Sequence, residues 1–333
     1  MQKQEKNLNI EGLRGIALLL VVIFHVFIRY RQLYVDETLS IPVFNNLGFF
    51  GVCIFLILSS YFLVKNKKEK DFKLFVFLKK KIWRLWPEYF AGISLIFVVV
   101  NCSNLSDRKT GALDFCLNTV FINGFISTPY VDSAHWYITT LIAITLIFSV
   151  LHKLKIADKW YVYVIWLVCS ALTLKFKISV VSLLLGGGYV GIICIGVCTS
   201  KILQPNNKKD LFCWGMVFAG SLGYLVLSKT ILEIVFVMAA MGCVLFALKT
   251  KTKFLSWRPL AFLGTVSYSV YIIHQNVSYV IEYHLSIAFG GYHWTVSLIA
   301  LGVSMMLGIA LHYMIQSIRT LNTRQKNKTL GKE

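Results

Sequence analysis

The sequence predicts an all-α polytopic integral membrane bundle of about ten transmembrane helices, with both termini cytoplasmic. Three observations predict it: composition, the spacing of apolar runs, and the sidedness of basic residues. Hydrophobic residues make up 57% of the 333 residues, charged residues 15%, and the mean hydropathy is +0.67. A soluble protein is about 25% charged. The surplus of apolar surface therefore faces lipid. Disorder, a collagen-like rod, a disulfide mini-protein and an ordinary cytosolic enzyme are excluded on the same grounds.

A span needs about 20 mostly apolar residues. Ten runs qualify: 11–29, 44–64, 85–101, 135–152, 159–175, 179–199, 211–228, 230–248, 260–283 and 294–316. The first reads as a retained span, not a cleaved signal, because it carries Arg14 and His25 and no small-residue cleavage site follows. The stretch 112–126 is apolar but short, and Asn118 and Asn123 interrupt it, which fits a re-entrant or interfacial segment. With the N-terminus inside, 27 of the 34 Lys and Arg residues fall in inner segments and 7 in outer ones. That asymmetry sets the orientation. It also accounts for the net charge of +19 without nucleic acid. The basic residues lie in short segments between spans and not along one binding face. The chain reads as one membrane domain, 1–333, spanning from about 11 to 316 with cytoplasmic tails at 1–10 and 317–333. Its expected place is the lipid bilayer of the cell (plasma or inner) membrane, as a multi-pass protein.

No Walker or dinucleotide glycine pattern and no internal repeat occurs. Gly186, Gly187 and Gly188 fall inside the sixth run, where close helix packing is the expectation. Cys53, Cys169, Cys194, Cys198, Cys213 and Cys243 lie in apolar runs and read as small membrane hydrophobes. Cys194 and Cys198 are spaced i,i+4 but have no nearby His or carboxylate to complete a metal set, so no metal is expected. Cys102 and Cys116 share one loop, and a disulfide between them stays open.

An ionisable side chain inside a span costs on the order of a few kcal/mol and calls for a reason. Arg14 and His25 are eleven residues apart. At about 100° per residue they share a face of the first helix, about 16 Å apart along its axis. Glu11, one turn before Arg14, is placed to pair with it. The pair reads either as an anchor plus an interhelical hydrogen-bonder, or as a site. Ser267, Tyr271, His274 and Ser278 form a second one-faced stripe on the ninth run, which Glu282 extends at its outer end. Both stripes end at similar depth, so either they share a cavity or their hydroxyls join helices. His135 and Trp136 begin the fourth run, at the outer surface in this orientation. The inner segment around Lys80, Lys81 and Arg84 serves either topology and anionic lipid or a phosphate clamp.

These residues together resemble the acyltransferase-3 family of ten-span membrane acyltransferases. "NIEGLRGIALLLVVIFHV" is similar to that family's first helix, with Arg and, eleven residues later, His. "GVCIFLILSSYFL" resembles its second helix, "FLKKKIWRLWPEY" its basic, Pro-containing inner loop, "HWYITTLI" the start of a later helix, and "LGTVSYSVYIIHQ" its Ser-Tyr-Ser-x-Tyr-x-x-His element. The matches run in order from residue 9 to 275. Ser60 stands where the family usually has Gly, and Lys80 and Lys81 where Arg is common. Thr139, Thr140 and Leu141 stand where the branch with an attached hydrolase-like domain often has Glu. With the sequence ending soon after the tenth run, it resembles the stand-alone branch of O-acetyltransferases acting on capsule, exopolysaccharide or O-antigen sugars.

The resemblance implies an O-acetyltransferase moving acetyl from cytosolic acetyl-CoA to a sugar hydroxyl of a lipid-linked or cell-surface polysaccharide. Acyl-CoA is then a donor substrate, not a bound cofactor, and the carbohydrate is the acceptor. Arg14, Lys80, Lys81 and Arg84 are the expected donor-binding cations. His25 is the expected catalytic residue, as base or as acyl carrier. Glu11, His135, Trp136, Ser267, Tyr271 and His274 are expected to orient the acceptor or support the site. The alternative is a transporter or flippase for an envelope glycan, which midplane polar residues also fit. The oligomeric state stays open, a homo-oligomer included.

Overall fold

The computed structural model describes residues 7–36, 41–65, 73–205 and 207–329. Residues 1–6, 66–72 and 330–333, which include part of the expected tails and of the basic inner segment, lie outside the described residues.

Regular structure among the described residues is helical throughout. Seven helices are long and apolar enough to cross a membrane: α1 (Leu8–Tyr34), α2 (Pro42–Val64), α3 (Leu74–Asn101), α4 (Ser133–Lys153), α7 (Lys208–Ser228), α8 (Ile231–Lys249) and α10, whose helix runs Trp294–Thr329. Between them lie two shorter apolar helices, α5 (Trp160–Lys175) and α6 (Gly187–Ile202), and the 31-residue α9 (Arg258–Ala288). Each expected run maps onto one of these.

α1 and α9 form the centre, with α2, α8 and α10 around them; α3 packs on α9, α6 on α2, and α5 on α7. Two glycines let α1 and α9 meet backbone to backbone. A Cβ on Gly15 would overlap the Leu260 carbonyl, and one on Gly264 would overlap the Glu11 carbonyl. Such small-residue contacts are how membrane helices gain packing without a hydrophobic driving force. Ser60 is accommodated by the same means. Its hydroxyl donates to the carbonyls of Leu56 (2.8 Å) and Ile57 (3.2 Å), and Gly196 of α6 leaves room for it.

Three expectations are corrected. α3 begins at Leu74, not 85, so Lys80, Lys81 and Arg84 sit on a helix. The helix passes through Pro87, which has no N–H to donate. Arg319 takes the Arg84 carbonyl at 2.7 Å and the Tyr268 hydroxyl takes that of Leu85 at 3.2 Å, so exposed carbonyls near the proline find partners. The sixth run is not continuous: a short helix, Ser179–Leu184, is followed by a turn with Gly186 at φ 105° and Gly187 at φ 58°. These glycines serve a left-handed turn; a Cβ at Gly187 or Gly188 would meet nothing within 4 Å, so close packing is not their role. α10 continues helically well past 316. Cys102 and Cys116 are both free and exposed, without a disulfide.

The structure also decides the depth of the 112–126 stretch, which the sequence leaves between re-entrant and interfacial. Residues 112–135 do not stay at the surface. Phe115 packs on Phe97 and Phe90 of α3 (ring centroids 4.8 and 6.4 Å), the Thr119 carbonyl accepts from Trp86 Nε1 at 2.9 Å, and Phe121 stacks on Tyr89 at 4.5 Å. From Phe97 to Trp86 is about 16 Å along a helix. The segment is re-entrant. Asn118, fully buried, ties its two limbs by donating to the carbonyls of Asp114 (2.7 Å) and Pro129 (2.9 Å) and accepting from Val131 N–H (3.2 Å). Non-helical backbone at this depth needs such internal partners.

Candidate active site

Arg14 and His25 both face α9, as their shared helical face requires. Arg14 Nη2 donates to Ser267 Oγ at 3.5 Å, and His25 Nδ1 lies 3.3 Å from Tyr279 Oη. The offset between partners is 253 residues at one contact and 254 at the other, so the two helices run parallel in register. Arg14 also pairs with Glu11 at 3.4 Å. Its side chain remains 31% exposed, so the charge is open to a ligand at that end of the bundle.

His25 lies in a π-helical segment, Phe24–Arg29, that interrupts α1. Such single-turn bulges recur at functional sites because they redirect side chains that a regular helix would fix. The imidazole is half-buried. It meets the His274 ring edge-on, at 5.0 Å between centroids and 65° between planes. His274 is fully buried, and its Nδ1 lies 2.7 Å from the Tyr271 carbonyl. A carbonyl only accepts, so Nδ1 carries the proton. In the neutral ring Nε2 is then a lone-pair acceptor, and it is buried with no protein partner.

The re-entrant segment delivers a third imidazole. His135 Nε2 donates to the Ile272 carbonyl at 2.7 Å, while its Nδ1 is buried and unpartnered. Asp132, 1% exposed, accepts from Ala134 N–H at 3.0 Å and from Asn276 N–H at 2.9 Å. The Ile272 carbonyl and the Asn276 N–H are an i,i+4 pair of α9, so both members are engaged from outside the helix. Gln275 donates to Ser133 Oγ at 2.8 Å, Asn276 Nδ2 to the Val131 carbonyl at 2.8 Å, and the Tyr271 hydroxyl to the Ala134 carbonyl. These bonds clamp the tip of the segment onto the middle of α9, beside the His25–His274 pair.

A second polar cluster lies nearer the Arg14 end of the helices. Glu88 of α3, 5% exposed, accepts from Ser269 Oγ at 2.7 Å and pairs with Arg319 at 3.3 Å, with His312 Nδ1 4.0 Å away. It joins α3, α9 and α10. Its carboxylate is paired and hydrogen-bonded, as a buried charge must be.

The acyltransferase-3 family model, described as an acyltransferase domain, matches residues 7–314. The chain belongs to the acyltransferase-3 family. No curated protein and no solved structure matches it. The match spans α1 to Met314 of α10 and so both polar clusters except Arg319.

The structure brings His25, His274, Tyr271 and His135 into one neighbourhood, and Arg14, Glu11 and Ser267 into another on the same pair of helices. His135 is not at the surface, being 1% exposed, and Trp136 is half-buried and stacks on Tyr189 of α6 at 4.6 Å. Lys80 and Arg84 are exposed on the first half of α3, and Lys81 lies over the Phe77 ring at 5.5 Å. Arg14 instead meets Glu11 and Ser267, so the structure does not join these cations to it. Among the described residues no His, Cys, Asp or Glu group suits a metal ion.

Sequence reasoning missed Tyr279, Asp132 and Glu88. Tyr279 falls off the polar stripe at helical spacing. Asp132 lies past the 112–126 stretch and just before the fourth run, and Glu88 lies inside the 85–101 run but is not among the expected site residues. The signal for Glu88 was present: a carboxylate directly after Pro87 and before an unbroken apolar run.

Proposed function

We propose that this membrane acyltransferase transfers acetyl from cytosolic acetyl-CoA to a hydroxyl of a lipid-linked or cell-surface glycan, in the plasma or inner membrane. The observation that supports it most is the placement of a half-buried His25, bonded to Tyr279 and backed by His274, on the same face of α1 as the open Arg14. In the charge-derived orientation Arg14 is inner and His25 outer. Arg14 holds donor phosphate at the inner end, with Lys80, Lys81 and Arg84 drawing the anion to that side. A separation of about 16 Å suits the pantetheine arm, which carries the thioester outward while the nucleotide stays inside.

The chemistry follows from the imidazole. With Nδ1–H donated to Tyr279 Oη, Nε2 of His25 holds a lone pair. It takes the proton of the acceptor hydroxyl as the oxygen attacks the thioester carbonyl carbon. The C–S bond breaks, the ester forms, and the CoA thiolate recovers the proton from the imidazolium. The same nitrogen would carry the acetyl group in a two-step route. His274, His135 and Tyr271 fix the ring's surroundings and orient the acceptor.

Purified protein in lipid nanodiscs, given acetyl-CoA and glycan, tests this by thiol release and ester formation. His25→Ala should abolish transfer, a loss of about 10²–10⁴-fold, while the protein still inserts and accumulates. Robust transfer by His25→Ala would return His25 to a packing role.

A further inference from the structure

On the far side of Tyr279 from His25 the outer loop supplies a polar cluster that the reading above leaves unused. Tyr34, at the end of α1, donates its hydroxyl to Asp107 Oδ2 at 2.6 Å. Arg108 Nε donates to Tyr34 Oη at 2.9 Å and to Asp107 Oδ2 at 3.3 Å. The Arg108 guanidinium lies over the Tyr279 ring, 5.0 Å from its centroid, and within 5.9 Å of the Tyr34 ring. The path from loop to imidazole is therefore two contacts long, Arg108 to Tyr279 and Tyr279 to His25.

Positions and exposures separate this cluster from a buried brace. The Asp107 side chain is 54% exposed and that of Arg108 15%. Asp107 is open to solvent and Arg108 is largely covered, in the outer loop after α3. A carboxylate accepts two hydroxyl protons at once, and a guanidinium presents donors in a fixed fork. Tyr34, half-buried, adds an aromatic face whose apolar area packs against C–H groups, over a floor formed by the fully buried Tyr279. Neighbouring ring hydroxyls above a C–H face are what this set complements. A thioester donor arriving from the Arg14 end does not reach it first.

We propose that Asp107 and Arg108, backed by Tyr34 and Tyr279, form an acceptor subsite that holds vicinal hydroxyls of a sugar ring next to His25. The assignment rests on the transfer reaction proposed above and names where its acceptor is gripped. Asp107 and Arg108 touch the sugar away from the reacting hydroxyl. They set acceptor affinity, not the chemical step.

The experiment uses the full chain in nanodiscs with methyl hexosides as probes, their deoxy analogues, and the matching methyl uronosides. Binding is read without donor by saturation-transfer NMR, and transfer is read with acetyl-CoA. Asp107→Asn should weaken methyl hexoside binding about tenfold or more and raise the acceptor KM alike, leaving kcat and the acetyl-CoA KM unchanged. Arg108→Lys, which keeps the charge but not the fork, should do the same to a smaller extent. A deoxy analogue lacking one vicinal hydroxyl should be insensitive to Asp107→Asn. Binding lost in the variant while the wild type transfers no acetyl would uphold the subsite and sink the transfer reading. Unchanged acceptor binding in both variants would overturn the subsite, as would a uniform fall in kcat and both affinities, the mark of a structural tie. Preference for uronosides that vanishes only in Arg108→Lys would overturn the hydroxyl assignment in favour of an anion site.

Discussion

Tyr279→Phe isolates one hydrogen bond at the centre of the site. The substitution removes the Oη that lies 3.3 Å from His25 Nδ1 and keeps the ring under the Arg108 guanidinium. Tyr279 is fully buried, so no water replaces the lost partner at that point. A neutral hydrogen bond contributes about 0.5–1.5 kcal/mol net. The contact is at the long end of the hydrogen-bond range, so the lower half of that interval applies. At about 1.4 kcal/mol per decade, kcat should fall about two- to fivefold, with both KM values nearly unchanged. The assay is steady-state thiol release from acetyl-CoA in nanodiscs, run for Tyr279→Phe, His25→Ala and the double variant. If Tyr279 acts only through His25, Tyr279→Phe has no further effect on whatever rate His25→Ala retains. A loss above about 100-fold, or an undiminished effect in the His25→Ala background, would refute the positioning argument and give Tyr279 a direct role.

Arg14→Ala should raise the acetyl-CoA KM by about 10–100-fold, the worth of one charged hydrogen bond of about 1.5–3 kcal/mol, and an unchanged KM would move the donor site away from α1. Gly264→Leu should lower thermal stability in detergent by an overpacking cost of about 1–3 kcal/mol or more, because its Cβ meets the Glu11 backbone; wild-type melting would show that α1 and α9 are not in contact. A cysteine placed at a position within 65–84 should resist an impermeant maleimide in intact cells and react after lysis, and labelling without lysis would invert the topology.

The apolar runs were legible because lipid imposes one requirement on every span, a sufficient length of hydrocarbon-compatible residues. That rule finds α2 and α8 without help from packing. It fails where tertiary partners change the price of polarity. The start of the 85–101 run also resembles an inner loop, because Pro87 and Glu88 are unfavourable in an isolated helix, yet Arg319, Tyr268 and Ser269 satisfy both the carbonyls and the carboxylate. The stretch 112–126 stays between re-entrant and interfacial in the sequence because its partners on α3, Trp86 among them, are visible only once α3 is beside it. Arg14 and His25 were legible because their spacing depends on one helix alone. Tyr279 and Asp132 were not, since each acquires its role from a different element.

α9 shows the same principle in the opposite direction. It is the longest helix after α10, yet it falls outside the set apolar enough to cross a membrane by composition. Polar side chains inside a bilayer are tolerated when each finds a partner, and here most do. Ser267 meets Arg14, Ser269 meets Glu88, Gln275 and Asn276 meet the re-entrant tip, and Glu282 accepts from Ser297 at 2.5 Å. Those partners come from α1, α3, α10 and the re-entrant segment, so α9 is shielded from lipid along much of its length. The polarity that disqualifies it as an isolated span follows from that central position. Only a helix enclosed by others can hold the buried imidazole of His274 beside His25, and that enclosure lets two histidines stand at the same depth without facing lipid.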